Sequence, residues 1–274
     1  MSGRHGIPKS RWLPAYVTVY LAFLYFPILL LPIFSFNNAA TTTFPLAGFT
    51  TKWYASLWHN TALLEAARNS MIVGVSVAIL STVLGICAAR AITRYRFRGQ
   101  RAATGLIMAP LFLPEIIFAV SLLMIILQLG VELSLVTVIL GQVIFCLPYA
   151  MSVLISGFGG FDRSLEEASL DLGETAIGTF RRVTLPVVAP ALVSSLLVSF
   201  TVSLDEFILA FFLSGTEPTL PVYIWGQLRF AAKLPGVLAL GSVMILISIL
   251  LLTLSEIIRR RAEHRLRAQG ALNA

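Results

Sequence analysis

Residues 167–186 read EASLDLGETAIGTFRRVTLP, a short polar segment between two strongly apolar ones. The pattern is Glu-Ala-small, three residues, Gly173, nine residues, an apolar residue, one further residue and Leu-Pro. Gly173 favours the left-handed conformation that stops a helix, and Pro186 is expected to end or bend a second one. The segment therefore predicts two short helices, about 165–172 and from 174 or 175 onward, before an apolar span.

The start of this segment carries a helix-capping pattern. The Ser164 hydroxyl is placed to accept from the amide of Glu167, and the Glu167 carboxylate can reach back, as in a capping box. Ala168 and Ser169 are small and would allow the groove of a partner to approach closely. A short helix held between two spans would act as a lever, whereas the plainer alternative is a capped surface loop without a partner.

The composition indicates a membrane protein. The chain has 274 residues, of which 57% are hydrophobic and 12% charged, with a mean hydropathy of +0.87. A soluble domain is about a quarter charged, so lipid is the natural solvent for this chain. The net charge of +7 is interpreted as basic residues gathered on the cytoplasmic side, not as binding of nucleic acid.

Six apolar runs are long enough to cross a bilayer as helices, which need about 20 residues each. The predicted fold is therefore an all-α integral membrane protein with six transmembrane helices. The first run exceeds the apolar core of a cleavable signal peptide, the alternative for that segment, and is taken as a retained helix. Pro110 and Pro114 are expected to kink the third. The predicted spans are 12–36, 70–91, 102–129, 133–156, 190–213 and 237–257.

The spans suggest three regions of the chain. Residues 1–65 hold the tail, the first span and an outer segment, in which the aromatic stretch 52–58 predicts an interfacial helix. Anchoring is the preferred role of that helix, with docking of an outside partner as the alternative. Residues 66–258 form the main transmembrane domain, with a polar loop at about 162–186, and residues 259–274 form a basic cytoplasmic tail.

Basic residues alternate between the connections and give the orientation. The opposite side holds only Lys52, Arg68, Arg229 and Lys233. By the positive-inside rule both termini and the segment 167–186 are cytoplasmic. The basic residues of the inner side are Arg4, Lys9 and Arg11 at the start, Arg90, Arg94, Arg96, Arg98 and Arg101 after the second span, Arg163, Arg181 and Arg182 after the fourth, and Arg259, Arg260, Arg261, Arg265 and Arg267 at the end.

Three acidic residues fall inside the predicted spans. Glu115 follows Pro114 in the third span, and Asp205 and Glu206 lie in the fifth. Charges at membrane depth are costly and usually face a cavity, where carboxylates would attract a cationic solute. Alternatively they bond to helix termini or hydroxyls, are protonated, or lie near the outer interface. Ser199, Thr201 and Ser203 would line the same path or pack helices.

The sequence contains no motif for catalysis. It has no G-x-x-x-x-G-K-[ST] loop for nucleotide phosphates and no nucleophile elbow. Cys87 and Cys146 are interpreted as small buried hydrophobic residues, and the three histidines form no ligand cluster, so we expect no metal site. The chain is predicted to be non-catalytic, with no cofactor of its own.

The segment 167–186 resembles the EAA loop, the cytoplasmic coupling loop of permease subunits of type I ABC importers. Four further stretches resemble the second membrane subunit of spermidine/putrescine permeases, and the likeness covers nearly the whole chain. These stretches are GFTTKWY at 48–54, RYRFRG at 94–99, FCLP at 145–148 and SFTVSLDE at 199–206. Two positions depart from the loop pattern: Ser169 replaces the second Ala, and Val183 stands where Ile is common.

The resemblance implies a machine of several subunits in the bacterial inner membrane. Its partners would be a homologous second permease forming a heterodimer, two cytoplasmic ATPases that bind ATP and magnesium, and an extracytoplasmic substrate-binding protein. The coupling helix would enter a groove of one ATPase and move the spans when the ATPases close. The residues implied in coupling are Glu166, Glu167, Ala168, Ser169, Gly173, Leu185 and Pro186.

The cargo that the resemblance implies is a small organic cation, putrescine or spermidine. The same machine with an opine, an amino acid or another small solute is the nearest alternative, because the loop is shared and only the carboxyls favour a cation. A proton-coupled secondary transporter and an intramembrane enzyme are the alternatives from other classes.

Overall fold

The structure, a computed structural model, describes residues 12–39, 45–247 and 249–250. Within them the regular elements are helices, apart from one isolated antiparallel β-bridge between Asn37 and Phe49. The helices are α1 (Trp12–Ser35), α2 (Lys52–Leu57), α3 (Thr61–Arg94), α4 (Gln100–Met108), α5 (Glu115–Gln128), α6 (Leu135–Gly159), α7 (Ser164–Asp171), α8 (Ala176–Thr179), α9 (Leu185–Asp205), α10 (Ile208–Leu213), α11 (Leu220–Leu228) and α12 (Ala231–Ile247).

The chain divides into two units, Met1–Asn60 with Gln227–Ala274, and Thr61–Gly226. In the first unit α1 exposes its apolar side chains along most of its length, as expected for a helix surrounded by lipid. A helix is confirmed in the stretch 52–58, as α2, and its interfacial position stays a prediction. The Trp53 indole donates to the Asn37 carbonyl (2.8 Å), and the Tyr54 hydroxyl lies 2.5 Å from that of Ser35. These bonds fasten α2 to the end of α1.

In the second unit α3, α6 and α9 pack side by side along their lengths. One apolar cluster lies where these helices meet α5 and α10, around Val77 and Leu213. A second lies at the opposite end, around Met151 and Phe158. At the end of the unit near α10, the Leu135 amide donates a hydrogen bond to the Glu217 carboxylate (3.1 Å).

The third predicted span is broken, as its two prolines suggested. α4 passes into a 3₁₀ turn at Ala109–Leu111, and α5 starts after Pro114 at an angle of 104° to it. Pro110 lies in the turn and Pro114 caps α5. Proline lacks the amide that would continue the helix, and it disfavours helical geometry in the residue before it.

The fifth predicted span, 190–213, is wrong at both ends. α9 begins at Leu185 and ends at Asp205, and the backbone is extended at Glu206 (ψ 109°). α10 then begins at Ile208. Apolar residues continue on both sides of Asp205 and Glu206 and concealed this break, because hydropathy does not show where a helix stops.

The number of spans is smaller than predicted in the part of the chain that is described. Four helices there are long and apolar enough to cross a membrane, and five if the bent pair of α4 and α5 counts as one span. The last described helix, Ala231–Ile247, is shorter. The end of the sixth predicted span and the basic tail 259–274 lie outside the described residues, as do Arg4, Lys9 and Arg11. The chain is a multi-pass membrane protein.

The close approach of α6 to α9 gives a test of this packing. A Cβ placed on Gly157 would collide with Ala191, whereas one on Gly159 meets nothing within 4 Å. Gly157→Ala is expected to destabilise the protein by roughly 1–3 kcal/mol, because overpacking forces the helices apart. The measurement is the temperature at which the purified protein in detergent loses its size-exclusion peak. Gly159→Ala is the control, and an equal fall in both variants would contradict the proposed packing.

Candidate functional site

The segment 167–186 forms the two predicted short helices. α7 covers Ser164–Asp171, and Gly173 follows with φ +87°, the left-handed conformation expected of it. The second helix, α8, begins after Thr175, whose hydroxyl accepts from the Gly178 amide (3.1 Å). The loop is therefore a defined structure and not an irregular connection.

The cap of α7 differs from the predicted capping box. Arg163 is already helical (φ −64°, ψ −26°), so the cap lies earlier, and the Asp162 carboxylate accepts from the Ser164 amide (3.0 Å). The bonds that the Ser164 amide and hydroxyl donate hold the pKa of Asp162 below its usual value. Glu167 instead pairs with Arg163, Oε1 to Nε at 3.3 Å, with both side chains about two-thirds exposed.

Of the two outcomes expected at Pro186, an end or a bend of the second helix, the helix end does not occur. α8 passes through a π-helical turn at Phe180–Thr184 directly into α9, where Pro186 is the second residue. In a regular helix its ring would clash with the carbonyl of Arg182, and the wider turn relieves this conflict. Residues Ala176–Asp205 therefore form one helix of 30 residues.

The seven predicted coupling residues divide into two groups. Glu167, Ala168, Gly173 and Pro186 are exposed. Glu166, Ser169 and Leu185 are buried or half-buried, and the Ser169 hydroxyl lies 3.0 Å from that of Thr179.

Glu166 points inward and joins three segments of the chain. It is 9% exposed. Its Oε2 lies 3.0 Å from Nε of Arg94, the last residue of α3, and its Oε1 accepts from the Thr184 hydroxyl (2.6 Å). Sequence reasoning counted Arg94 among the basic residues that give orientation and in the resembling stretch 94–99, but it assigned no site role to Arg94 or Thr184.

The exposed side of the loop is more apolar than its sequence suggested. Leu172 is 90% exposed and Ile177 81% exposed, although both belong to a polar segment. Large apolar side chains left exposed on a polar loop are consistent with a contact with another protein. Their signal in the sequence was the presence of large apolar residues in a charged stretch.

The structure brings two of the three predicted pathway residues together. Glu206 is 6% exposed, accepts from the Leu209 amide (2.7 Å) and lies close to the Glu115 carboxyl. Asp205, the last residue of α9, is exposed. Each carboxyl of the pair therefore sits at a helix break, Glu115 at the start of α5 and Glu206 after α9.

Aromatic rings of α6 lie beside this acidic pair. Tyr149 lies near both carboxyls. Its ring centre is 6.0 Å from that of Phe145, which lies 6.3 Å from that of Phe118. A carboxylate next to aromatic faces is suited to an organic cation.

The hydroxyls near the pair belong to helix packing. Ser203 is buried and donates to the Gln142 side chain of α6 (2.5 Å), and Ser199 is fully buried. Thr201 is exposed and donates to the carbonyl of Leu197 in its own helix. Of the two cysteines, both free, Cys146 is buried as predicted, whereas Cys87 is exposed and that prediction was wrong.

Comparison with solved structures identifies the fold. A bacterial ABC transporter that imports the acidic polysaccharide alginate matches with a TM-score of 0.74 at 17% identity, covering 95% of this chain and 98% of that one. The same kind of transporter in complex with an alginate pentasaccharide-bound periplasmic protein matches with a TM-score of 0.68 at 16% identity, over 89% and 90% of the two chains.

Sequence comparison finds closer relatives. The spermidine/putrescine transport system permease protein PotC of Haemophilus influenzae is 37% identical, covering 91% of this chain and 97% of its own. The putrescine transport system permease protein PotI of Escherichia coli is 34% identical over 87% of each. Residues 81–268 match the family described as binding-protein-dependent transport system inner membrane component. The chain therefore belongs to this family of transport-system permeases.

Proposed function

We propose that this chain is the permease subunit of an ATP-driven ABC importer and forms half of the translocation path for a polyamine, putrescine or spermidine. The observation that supports this cargo is the Glu115–Glu206 pair, in which Glu206 is buried and Glu115 half-buried, with Tyr149 nearby. Carboxylates and an aromatic face together favour an organic cation over an anion or a neutral solute. The names of the relatives support the same cargo.

The proposal includes the partners of the chain. A homologous second permease completes the path, two cytoplasmic ATPases bind ATP and magnesium, and an extracytoplasmic binding protein delivers the cargo. The matching alginate transporter, in complex with its periplasmic protein, supports this arrangement. The chain itself is not an enzyme, since ATP hydrolysis is assigned to the ATPases. It lies in the bacterial cytoplasmic (inner) membrane.

We also propose six spans with both termini in the cytoplasm. Contacts between two basic connections support this topology. Arg90 lies over the Phe180 ring (4.4 Å), and Arg94 pairs with Glu166, so the arginine-rich end of α3 and the coupling loop share one end of the second unit. The positive-inside rule assigns that end to the cytoplasm.

The helix that joins the loop to the Glu115–Glu206 pair couples movement of the ATPases to the cargo site. Residues Ala176–Asp205 form a single helix, about 45 Å long at 1.5 Å per residue. Its start belongs to the loop and its end directly precedes Glu206. When the ATPases close and displace the exposed face of α7, around Glu167 and Ala168, this helix carries the movement to the cargo site.

A proton-coupled secondary transporter is the second candidate, because one observation favours it. The Glu115 and Glu206 carboxyls lie close together in predicted spans, and intramembrane carboxyls of this kind could couple movement of a solute to movement of protons. This candidate needs a proton gradient and no ATPase. The same importer with an opine, an amino acid or another small solute as cargo remains the nearest alternative.

The test is uptake of labelled putrescine into proteoliposomes that hold the complete co-expressed complex, with ATP inside or outside. Spermidine, an amino acid and an opine serve as competitors. ATP-dependent uptake blocked mainly by spermidine supports the proposal. Uptake that needs only a proton gradient supports the secondary transporter, and ATPase stimulation by another solute alone rejects the polyamine.

Removing the buried charge tests the cargo site. Glu206→Gln in the complete complex is expected to raise the KM for putrescine at least about tenfold, since losing a buried charge partner costs about 2 kcal/mol or more. Glu115→Gln is expected to act in the same direction. The exposed Glu132→Gln is the control and should leave uptake unchanged. Unaltered KM values in both site variants would reject contact between these carboxyls and the cargo.

Reversing one exposed charge tests the coupling face. Glu167→Lys is expected to leave the chain in the membrane but to lower putrescine uptake more than about tenfold, because a charge pair with the ATPase becomes a repulsion. Membrane content by immunoblot and co-purification of the ATPase are measured together with uptake. Normal transport in this variant would show that Glu167 has no part in coupling.

A further inference from the structure

Glu166 and Glu167 are neighbours in the coupling loop, but they face opposite ways. Glu167 is about two-thirds exposed and pairs within its own helix with Arg163. The Glu166 side chain is only 12% exposed, and both of its carboxylate oxygens are engaged inside the protein, with Arg94 and Thr184. Glu166 is therefore not available to the ATPase in this structure.

The partners of Glu166 come from the two helices on which the loop must act. Arg94 ends α3, and Thr184 ends the π-helical turn that leads into α9. We name the three residues Arg94, Glu166 and Thr184 the loop brace. The brace connects α7, which carries the exposed coupling face, to α3 and to the long helix that reaches Glu206.

Aromatic contacts extend the brace along α3. The Arg94 guanidinium lies 5.1 Å from the centre of the Phe161 ring, just before α7. Arg90, one turn earlier on α3, lies 4.4 Å from the Phe180 ring at the start of the π-helical turn. One face of α3 therefore holds both ends of the loop through cation–π contacts.

The ion pair of the brace is largely shielded from solvent, with the Arg94 and Glu166 side chains 11% and 12% exposed. A carboxylate with little exposure is costly to leave without its cation, so the Arg94–Glu166 contact persists when the loop moves. Exposed pairs of the same loop, such as Arg182 with Glu174 (2.7 Å), are well solvated and constrain it less.

We propose that the loop brace is the joint that transmits movement of the coupling helix to α3 and α9, with Glu166 as a positioning residue. This inference rests on the proposed function, since it assigns a transmission path to the same importer. Without the brace, α7 still binds the ATPase through its exposed face, but its displacement is absorbed within the loop and no longer reaches the spans.

The experiment uses the complete complex in proteoliposomes and measures putrescine transported per ATP hydrolysed. Arg94→Gln and Glu166→Gln are expected to lower this ratio roughly tenfold, while ATPase co-purification and basal hydrolysis stay as in the wild type. The charge swap Arg94→Glu with Glu166→Arg is expected to restore part of the ratio. Arg182→Gln removes an exposed pair of the same loop and is expected to change nothing.

A milder variant provides a second test of the loop brace. Thr184→Val keeps nearly the same side-chain shape and removes only the hydrogen bond to Glu166. It is therefore expected to lower the ratio of putrescine to ATP less than the charge variants do. This variant provides the test if the charge variants fail to assemble. An unchanged ratio in Thr184→Val and Arg94→Gln, or an equal fall in Arg182→Gln, overturns the loop brace. Absence of ATP-driven putrescine transport in the wild-type complex overturns the proposed function instead.

Discussion

Each backbone polar group within the bilayer must find a partner inside the protein, and this constraint governs where the helices of the second unit can break. The break after α9 is tolerated because the Glu206 carboxylate accepts the Leu209 amide at the start of α10. At the other end of α10 the Thr137 hydroxyl donates to the Leu213 carbonyl (2.7 Å). Glu206 thus caps a helix and, in the proposed function, also presents charge to the cargo. A residue that the fold needs for its backbone bonds is a stable place to hold a carboxylate at membrane depth.

At the opposite end of the second unit, charged and polar side chains supply the bonding partners that the chain needs. There the chain leaves the apolar layer, and a polar loop must keep a fixed shape between two spans. Gly173 supplies the turn between α7 and α8, Thr175 caps the second helix, and Glu166 ties the loop to α3. Local bonds alone would give a capped surface loop. The long-range pair with Arg94, together with the cation–π contacts of Arg90 and Arg94, connects this loop to the helix bundle.

The sequence predicts well the features that depend on neighbouring residues. The apolar runs locate the described helices within a few residues at most ends, the two prolines locate the break before α5, and Gly173 locates the end of α7. The sequence does not predict features that depend on residues far apart in the chain. Glu166 and Glu167 are identical in chemistry and adjacent, and only Arg94, far earlier in the chain, decides which faces inward. Both Asp162 and Ser164 are good capping residues, so composition does not choose between them, and the helical dihedral angles of Arg163 do.

The π-helical turn at Phe180–Thr184 has a consequence for the long helix that starts in the loop. A π-helical turn interrupts the regular bonding pattern and is a natural point for a helix to bend. Pro186 requires such a turn here, so the helix that joins the loop to Glu206 has a weak point near its base. Thr184, the last residue of the turn, is the one that bonds to Glu166, and Phe180, the first, stacks under Arg90. The contacts with α3 therefore lie where bending would otherwise separate the motion of the loop from that of the acidic pair.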